Sequence, residues 1–501
     1  MPLTPAGSGA AARPNTARRG GRSSAAWLLF ALILSTGALR LLTLPMIDAG
    51  GDALLKWHQS KVALGLVPGQ WEWSHHTARV GILLPTMFVQ ACFGTAPWLY
   101  YLPALTASLV QTGLVFALGC RLHGRLLGVC SALLILFFPP MRMSGAQLLP
   151  GVFSGTYIAA ALLCLVCRRD GDRHGRTLLT LAALAMFAAY TVKLSNLFFI
   201  PGLIAAAWLW RKTDRDVVYL AVTTGGLILL ETAAYWTLTG HPMGRLGMVQ
   251  AAHAPMSPLG SPLELFGRYA DLPPSWSAAL TLFALVTLAS AWRPQRDWLA
   301  IALAPLTFLL GLTLTVRSFD PLIPAQAFNA RYLTALLPCL TLTVCLGIAQ
   351  SPPGAGRHWQ VARATALTLL TLGVLTVTTW RAQPQETRWA AHPLARLERY
   401  ITSAETFATG TPLISADPRG LGVRAWLALF WEGEPRPVRQ LRYGDGGFWV
   451  AFAPGHERPV DAFFGEDVLL TETQRLPESD SYSFSLSEVQ FLPRTRPRKG
   501  P

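Results

Sequence analysis

Across 501 residues, 51% are hydrophobic and only 14% charged, and the mean hydropathy is +0.36. That balance, with repeated apolar runs of membrane-spanning length, excludes a soluble globular class. The formal charge of +15 also argues against a nucleic-acid partner, because much of the excess is arginine in short turns between apolar runs, where it meets lipid headgroups and orients helices.

In chain order, residues 1–24 read as a disordered basic cytoplasmic tail carrying Arg13, Arg18, Arg19 and Arg22. The apolar run that follows is long and lacks a small-residue cleavage site, so it predicts a retained helix and not a cleaved signal peptide. Crossing the hydrocarbon core takes about 20 apolar residues. On that criterion spans are predicted at 25–45, 100–120, 126–142, 150–167, 177–192, 194–210, 216–238, 276–292, 298–316, 331–350 and 362–380, eleven in all.

Arginine placement tests that count, since short cytoplasmic loops collect basic residues. The turns after the second, fourth, sixth, eighth and tenth spans hold Arg121/Arg125, Arg168/Arg169/Arg173/Arg176, Arg211/Lys212/Arg215, Arg293/Arg296 and Arg357/Arg363, all on the side of the N-terminal tail. Counting 80–94 as a twelfth span would invert every later loop, so it is read as a re-entrant or interfacial helix. The fold class is therefore an all-α polytopic membrane bundle of about 11 helices, N-terminus inside and C-terminus outside. Residues 25–380 form the membrane domain, with a long first outer loop (46–98) and a second at 240–275. Compact loops and Arg/Ala/Pro richness favour a bacterial inner membrane.

The first outer loop concentrates the chemistry. Only 12 acidic residues precede residue 381, and Asp48, Asp52 and Glu72 all fall in this loop. Asp52 can act as a base or merely N-cap the helix that follows it. Trp71, Glu72 and Trp73 can stack on and hydrogen-bond a sugar, or the tryptophans can anchor at the bilayer interface. His75 and His76 are adjacent but have no third ligand by spacing, so no metal residues are assigned. Beyond the loop, Lys193 and Arg331 are predicted at outer ends of spans, where a cation needs to snorkel or to find an anion. Arg245 and His241 are further candidates in the second outer loop. Glu231 is the one acid placed well inside a span, and it reads best as a partner for Arg40. The seven cysteines lie in or beside spans and outline no disulfide framework.

Residues 381–501 change character, with 15 acids among them and no run long enough to span. They predict a small exported α/β or α+β domain, with a helix over 394–406, strand-like runs at 411–415, 448–452, 467–470 and 482–486, and a disordered basic end.

The loop carries a resemblance. Asp52-Ala-Leu-Leu-Lys-Trp-His-Gln, Gly65, Gly69-Gln-Trp-Glu-Trp-Ser, Arg79 and Pro85 are similar to the first loop of the dolichol-phosphate-mannose-dependent mannosyltransferases, with Ala53 in place of a Glu and Gln70 in place of a Thr. Phe93-Gly94, Tyr190-Thr-Val-Lys193 and Arg331-Tyr-Leu-Thr-Ala-Leu-Leu-Pro338 resemble bacterial members of the same C superfamily of glycosyltransferases. The resemblance implies inverting transfer of a sugar from a polyprenyl-phosphate donor to a lipid, glycan or protein acceptor on the outer face. Asp52 would be the base, with Asp48 as the alternative. Trp71, Glu72, Trp73, Arg79, Lys193, Arg245 and Arg331 would contact substrate. Mannose is suggested by the Trp-Glu-Trp segment alone. A divalent metal is left open, since branches of the superfamily differ in needing one. Two other readings stand beside it: a transporter or flippase of lipid-linked sugars, and a non-catalytic membrane scaffold.

Overall fold

The fold is taken from a computed structural model. Described in it are residues 17–42, 44, 52–67, 71, 73–170, 174–211, 213–252, 258, 259, 261–292, 294–319, 322–324, 330–350 and 357–381, with strands at 413–415, 438–440, 447–453, 468–475 and 483–491.

Sixteen helices are described: α1 (Ala17–Leu42), α2 (Asp52–Ala63), α3 (Val80–Phe93), α4 (Leu102–Leu122), α5 (Arg125–Phe137), α6 (Pro140–Ser144), α7 (Pro150–Arg169), α8 (Gly175–Val192), α9 (Phe199–Trp210), α10 (Asp214–Thr239), α11 (Arg245–Ala252), α12 (Glu264–Gly267), α13 (Pro274–Ala291), α14 (Arg296–Leu314), α15 (Leu337–Ala349) and α16 (Arg357–Arg381). Each of the eleven predicted spans overlaps at least one of them. Eight helical stretches are long and apolar enough to cross a bilayer, and the chain is a multi-pass integral membrane protein. One of the shorter apolar helices has a visible cause in proline, since Pro139 and Pro140 stop α5 after 13 residues. The tenth predicted span opens with a 3-10 turn, Ala330–Leu336, that runs into α15, where Pro338 sits in the first turn.

Glycine sets how closely the helices approach. A Cβ on Gly119 would lie 2.5 Å from the Cα of Gly128, so α4 and α5 meet backbone to backbone, as small residues allow in membranes. Gly128→Leu is expected to force them apart at a cost of about 1–3 kcal/mol, read as a lowered unfolding midpoint in detergent. A midpoint equal to that of the unaltered protein would contradict this contact.

The two ends of the bundle differ in charge, as the arginine count requires. At one end Arg121 and Arg169 share Asp170, at 3.3 and 2.8 Å. Arg169 also meets Asp297 at 2.7 Å, Arg168 meets Asp216 at 2.9 Å, and Arg211 meets Asp214 at 2.6 Å. Exposed pairs of this kind stabilise little one by one. Their value here is positional, because they bring the turns after the second, fourth, sixth and eighth predicted spans to the same end. Arg363, after the tenth, joins them by donating from Nη2 to His123 at 3.3 Å.

Partial burial, then the charge of Arg363, holds the His123 imidazole below its ordinary value of 6.5. The unfolded chain therefore takes up the proton first as pH falls. The stability tied to neutral His123 is whole above about pH 6.5 and drains away below it. A downward drift of the melting midpoint on acidification should be smaller in His123→Gln than in the unaltered protein, and equal drifts would rule the coupling out.

The C-terminal strands are β3 (Leu413–Ser415), β4 (Val438–Gln440), β5 (Gly447–Ala453), β6 (Val468–Arg475) and β7 (Ser483–Phe491), after a short hairpin of β1 (Val316–Phe319) and β2 (Leu322–Pro324). They form one mixed sheet in the order β4-β3-β5-β7-β6, with β3 parallel to both β4 and β5 and the remaining pairs antiparallel. The four predicted strand-like runs each overlap a strand, and β4 was not foreseen. The predicted helix over 394–406 lies outside the described residues.

Candidate functional site at the lysine end of the bundle

Opposite the arginine-rich end, the first outer loop folds back onto the helices. α2 is the loop's own helix and opens at Asp52. It buries Ala53, Leu54 and Trp57, and with them Lys56, Gln59, Ser60 and Lys61. Gln90 of α3 donates to the Trp57 carbonyl at 2.9 Å, and the Trp57 ring meets Tyr100 edge-on, so α2 and α3 form one packed layer. Lys56 and Lys61 are almost completely buried, an environment a cation tolerates only beside anionic or hydrogen-bonding groups. By sequence both fall in the first outer loop, and no apolar run around them marks their burial.

After α2 the chain returns through Trp71 and Trp73 to a tight turn in which the Ser74 hydroxyl accepts from the His76 and Thr77 amides. Trp71 and Trp73 meet edge-on at 5.6 Å, and Trp73 meets Tyr235 of α10 at the same distance. The His75 and His76 rings lie 3.6 Å apart, tilted by 45°. Among the described residues no group of three His, Cys, Asp or Glu side chains converges as a metal set would. Arg79 then precedes the first turn of α3, whose Gly81 comes so close to α8 that a Cβ there would meet Thr191 and the Ala188 carbonyl at 2.8 Å.

Arg245 holds these pieces together. The chain leaves α10 and reaches α11 through Gly244, at φ +52, where a side chain would also strike the Thr232 carbonyl. Glycine thus lets α11 start against α10 and send Arg245 inward, to 2% exposure. Its guanidinium donates to the carbonyls of Thr191 and Tyr190 at 2.8 Å each and to that of Ala78 at 3.4 Å. It also stacks on the Tyr190 ring and lies 3.3 Å from the Glu231 carboxylate. Tyr235 donates from its hydroxyl to the same Ala78 carbonyl.

Two expectations change here. Glu231 pairs with Arg245, not with Arg40, because Arg40 is turned toward Ser108 and the Leu136 carbonyl. Arg245, expected to contact substrate, has its two terminal nitrogens engaged by backbone oxygens of the protein and its Nε facing Glu231. A helix-end arginine separated from Glu231 by 13 intervening residues gives no pairing signal in the sequence.

Just beyond Thr191, Lys193 ends α8 in extended backbone and sets its ammonium over the Tyr332 ring, beside exposed Arg331. Lys193, Arg245, Arg331 and the Ala78–Arg79 segment therefore share one neighbourhood. The second outer loop is moored at the same end. Leu259 donates to the Leu322 carbonyl of the β1–β2 hairpin, Arg268 donates to the Thr313 carbonyl, and the Tyr269 hydroxyl lies 2.7 Å from that of Thr313. Burial pushes the Tyr269 phenol above its ordinary range, more than its hydrogen bond to Thr313 lowers it. Asp48, Glu72 and the side chain of Asp52 lie outside the described residues.

Two apolar cavities open between the helices. One, of about 600 Å³, is lined by Leu84, Pro85 and Phe88 of α3, Val110 of α4, and Phe153 and Tyr157 of α7. The other, of about 470 Å³, lies among α5, α13, α15 and α16, lined by Leu134, Phe138, Ala279, Leu340, Leu370 and Val374.

No family model matches the chain, and no curated protein matches it. Solved structures do. ArnT from Cupriavidus metallidurans in the apo state has a TM-score of 0.58 at 12% identity, over 93% of this chain and 98% of that one. The same protein bound to undecaprenyl phosphate scores 0.56 at 12% identity over the same shares. The archaeal oligosaccharyltransferase AglB from Archaeoglobus fulgidus, in complex with an inhibitory peptide and a dolichol-phosphate, scores 0.50 at 10% identity, over 85% of this chain and 65% of that one. The chain thus has the fold that its resemblance to the C superfamily of glycosyltransferases implies.

Proposed function

We propose that this protein transfers a sugar from a polyprenyl-phosphate carrier to a lipid, glycan or protein acceptor at the extracytoplasmic face of a bacterial inner membrane, with inversion at the anomeric carbon. The observation that carries the reading is that the chain segments bearing Arg79, Lys193 and Arg331 are brought together, through the Arg245 clamp on Ala78 and Thr191 and the seat of Lys193 on Tyr332, at the end of the bundle to which the acid-bearing first loop is packed. Support also comes from the fold, shared with proteins whose structures hold undecaprenyl phosphate and dolichol-phosphate.

The chemistry needs few groups. Asp52, with Asp48 as the alternative, takes the proton of the acceptor hydroxyl as its oxygen attacks the anomeric carbon. The bond from that carbon to the phosphate oxygen breaks, and the carrier leaves as a polyprenyl phosphate. Its charge is met by Lys193 and Arg331. Arg79, Trp71, Glu72 and Trp73 bind the sugar, aromatic rings being suited to its apolar face. Arg245 holds the loop against the helices that carry the cations. The apolar cavities suit hydrocarbon chains of the carrier or of a lipid acceptor. A mannosyl donor is the specific choice favoured by the Trp-Glu-Trp segment.

Mass spectrometry of surface glycans and lipid-linked intermediates in a deletion strain tests the reading. The expected result is loss of one sugar from one envelope component, with build-up of its polyprenyl-phosphate donor. Unchanged glycans together with unchanged donor would sink it.

A further inference from the structure

At the arginine-rich end, far along the bundle from the candidate site, a polar cavity of about 460 Å³ lies where α9 ends and α10 and α14 begin. It is lined by Trp208, Leu209, Arg211, Thr213, Asp214 and Arg296. The last carbonyls of a helix lack partners within it and carry partial negative charge, so they attract cations. Here they hold two arginines. Arg211 donates from Nη1 to the Trp208 carbonyl at 3.1 Å, and Arg296 donates from Nε to the Leu209 carbonyl. Arg211 also stacks on the Trp208 ring at 4.6 Å and pairs with Asp214.

Both guanidinium groups are thereby fixed on one helix end with donors to spare. Among the described residues, the two terminal nitrogens of Arg296 make no hydrogen bond. Thr213 adds a hydroxyl. It occupies the N-cap position of α10 in extended backbone, where threonine usually accepts from a helix amide, yet its side chain makes no such bond. Two planar forks and a hydroxyl around one cavity match the oxygens of a phosphate. Trp208 is 52% exposed and ends an apolar helix, the position of an interfacial aromatic beside lipid chains. Arg215 follows within one helical turn and keeps the surroundings positive.

We infer that this cavity binds the headgroup phosphate of an anionic phospholipid of the adjoining leaflet. Trp208 lies along the lipid's glycerol and upper chain region, and Arg211, Arg296 and Thr213 hold the phosphate. Acidic lipid attracted to each basic residue near a membrane surface gains about 1 kcal/mol. Loss of both arginines should accordingly weaken retention about thirtyfold.

The full chain, purified into nanodiscs made from equal amounts of phosphatidylglycerol and phosphatidylcholine and then moved to detergent, is examined by native mass spectrometry for lipid that stays bound. The unaltered protein should retain phosphatidylglycerol over phosphatidylcholine, and Arg211→Gln/Arg296→Gln should lose that preference. Thr213→Ala removes a hydroxyl that supports nothing in the fold, so a several-fold loss of retention in it cannot come from misfolding. Arg215→Gln, off the cavity, should retain the lipid. Added inorganic phosphate should not displace it, because a free anion lacks the chain that Trp208 covers. Equal retention of both lipids by the unaltered protein, undiminished retention in Thr213→Ala and the double variant, or displacement by inorganic phosphate overturns the inference.

Discussion

Asp52→Asn should abolish sugar transfer while leaving the protein folded and able to hold its lipid carrier. A positioned general base contributes about 10²–10⁴ in rate, so restoration of the missing glycan in a deletion strain should fall by that factor. The substitution separates two roles for the same carboxylate. Asp52 opens α2, and an acid there is favoured by the helix dipole and by capping. Asparagine caps a helix about as well as aspartate, so a purely structural Asp52 would tolerate the change. Melting in detergent, followed in parallel, should move by less than about 1 kcal/mol. Full glycan restoration by the variant would remove Asp52 from the chemistry. Asp48→Asn, made alongside, should cost less, and the reverse ranking would move the base to Asp48.

Much of this architecture can be read directly from the residues. Hydropathy locates the helices, because a membrane span must be apolar for a fixed length whatever it packs against. Arginine parity then sorts the loops into two sets, and the ion pairs among Arg121, Arg168, Arg169, Asp170, Asp216 and Asp297 gather one of those sets at a single end. Lys193 and Arg331 were likewise legible as cations at span ends. The placing of Lys193 over Tyr332, next in the chain to Arg331, was not, because residues some 140 positions apart share no local pattern.

Side-chain direction is the part that hydropathy does not encode. Arg245 sits in a long polar loop and reads as a solvent-facing cation. It turns inward only because Gly244 can adopt φ +52 and lie against Thr232. Glu231 shows the same gap from the other side. Its intramembrane position demands a partner, and Arg40, a basic residue on a predicted span, was the one expected. The true partner lies outside the spans and reaches in. Lys56 and Lys61, buried in α2, had no apolar run around them to mark their burial.

The buried pair makes an asymmetric prediction. Arg245→Leu leaves the Glu231 carboxylate without its cation and three carbonyls, those of Ala78, Tyr190 and Thr191, without a shared donor. Breaking a buried pair from one side costs about 3–5 kcal/mol, because the remaining charge stays desolvated. Glu231→Gln is milder, since Arg245 keeps its three carbonyls and its contact with Tyr190, and glutamine introduces no charge. Arg245→Lys should fall nearer the leucine variant, as one ammonium cannot reproduce the spread of a guanidinium fork. Melting midpoints in detergent should therefore order as unaltered protein, Glu231→Gln, Arg245→Lys, Arg245→Leu. Adding Glu231→Gln to Arg245→Leu should recover part of the loss by removing the stranded carboxylate, a coupling that independent sites would not show. The consequence for activity follows from what the clamp touches. Ala78 adjoins Arg79 at the mouth of α3, and Thr191 stands two residues before Lys193, so releasing Arg245 loosens the sugar-side loop and the phosphate-side cation together. Arg245→Leu should lower glycan restoration even at a temperature where the variant is fully folded, and normal restoration there would reduce the clamp to a stabilising contact with no part in positioning the site.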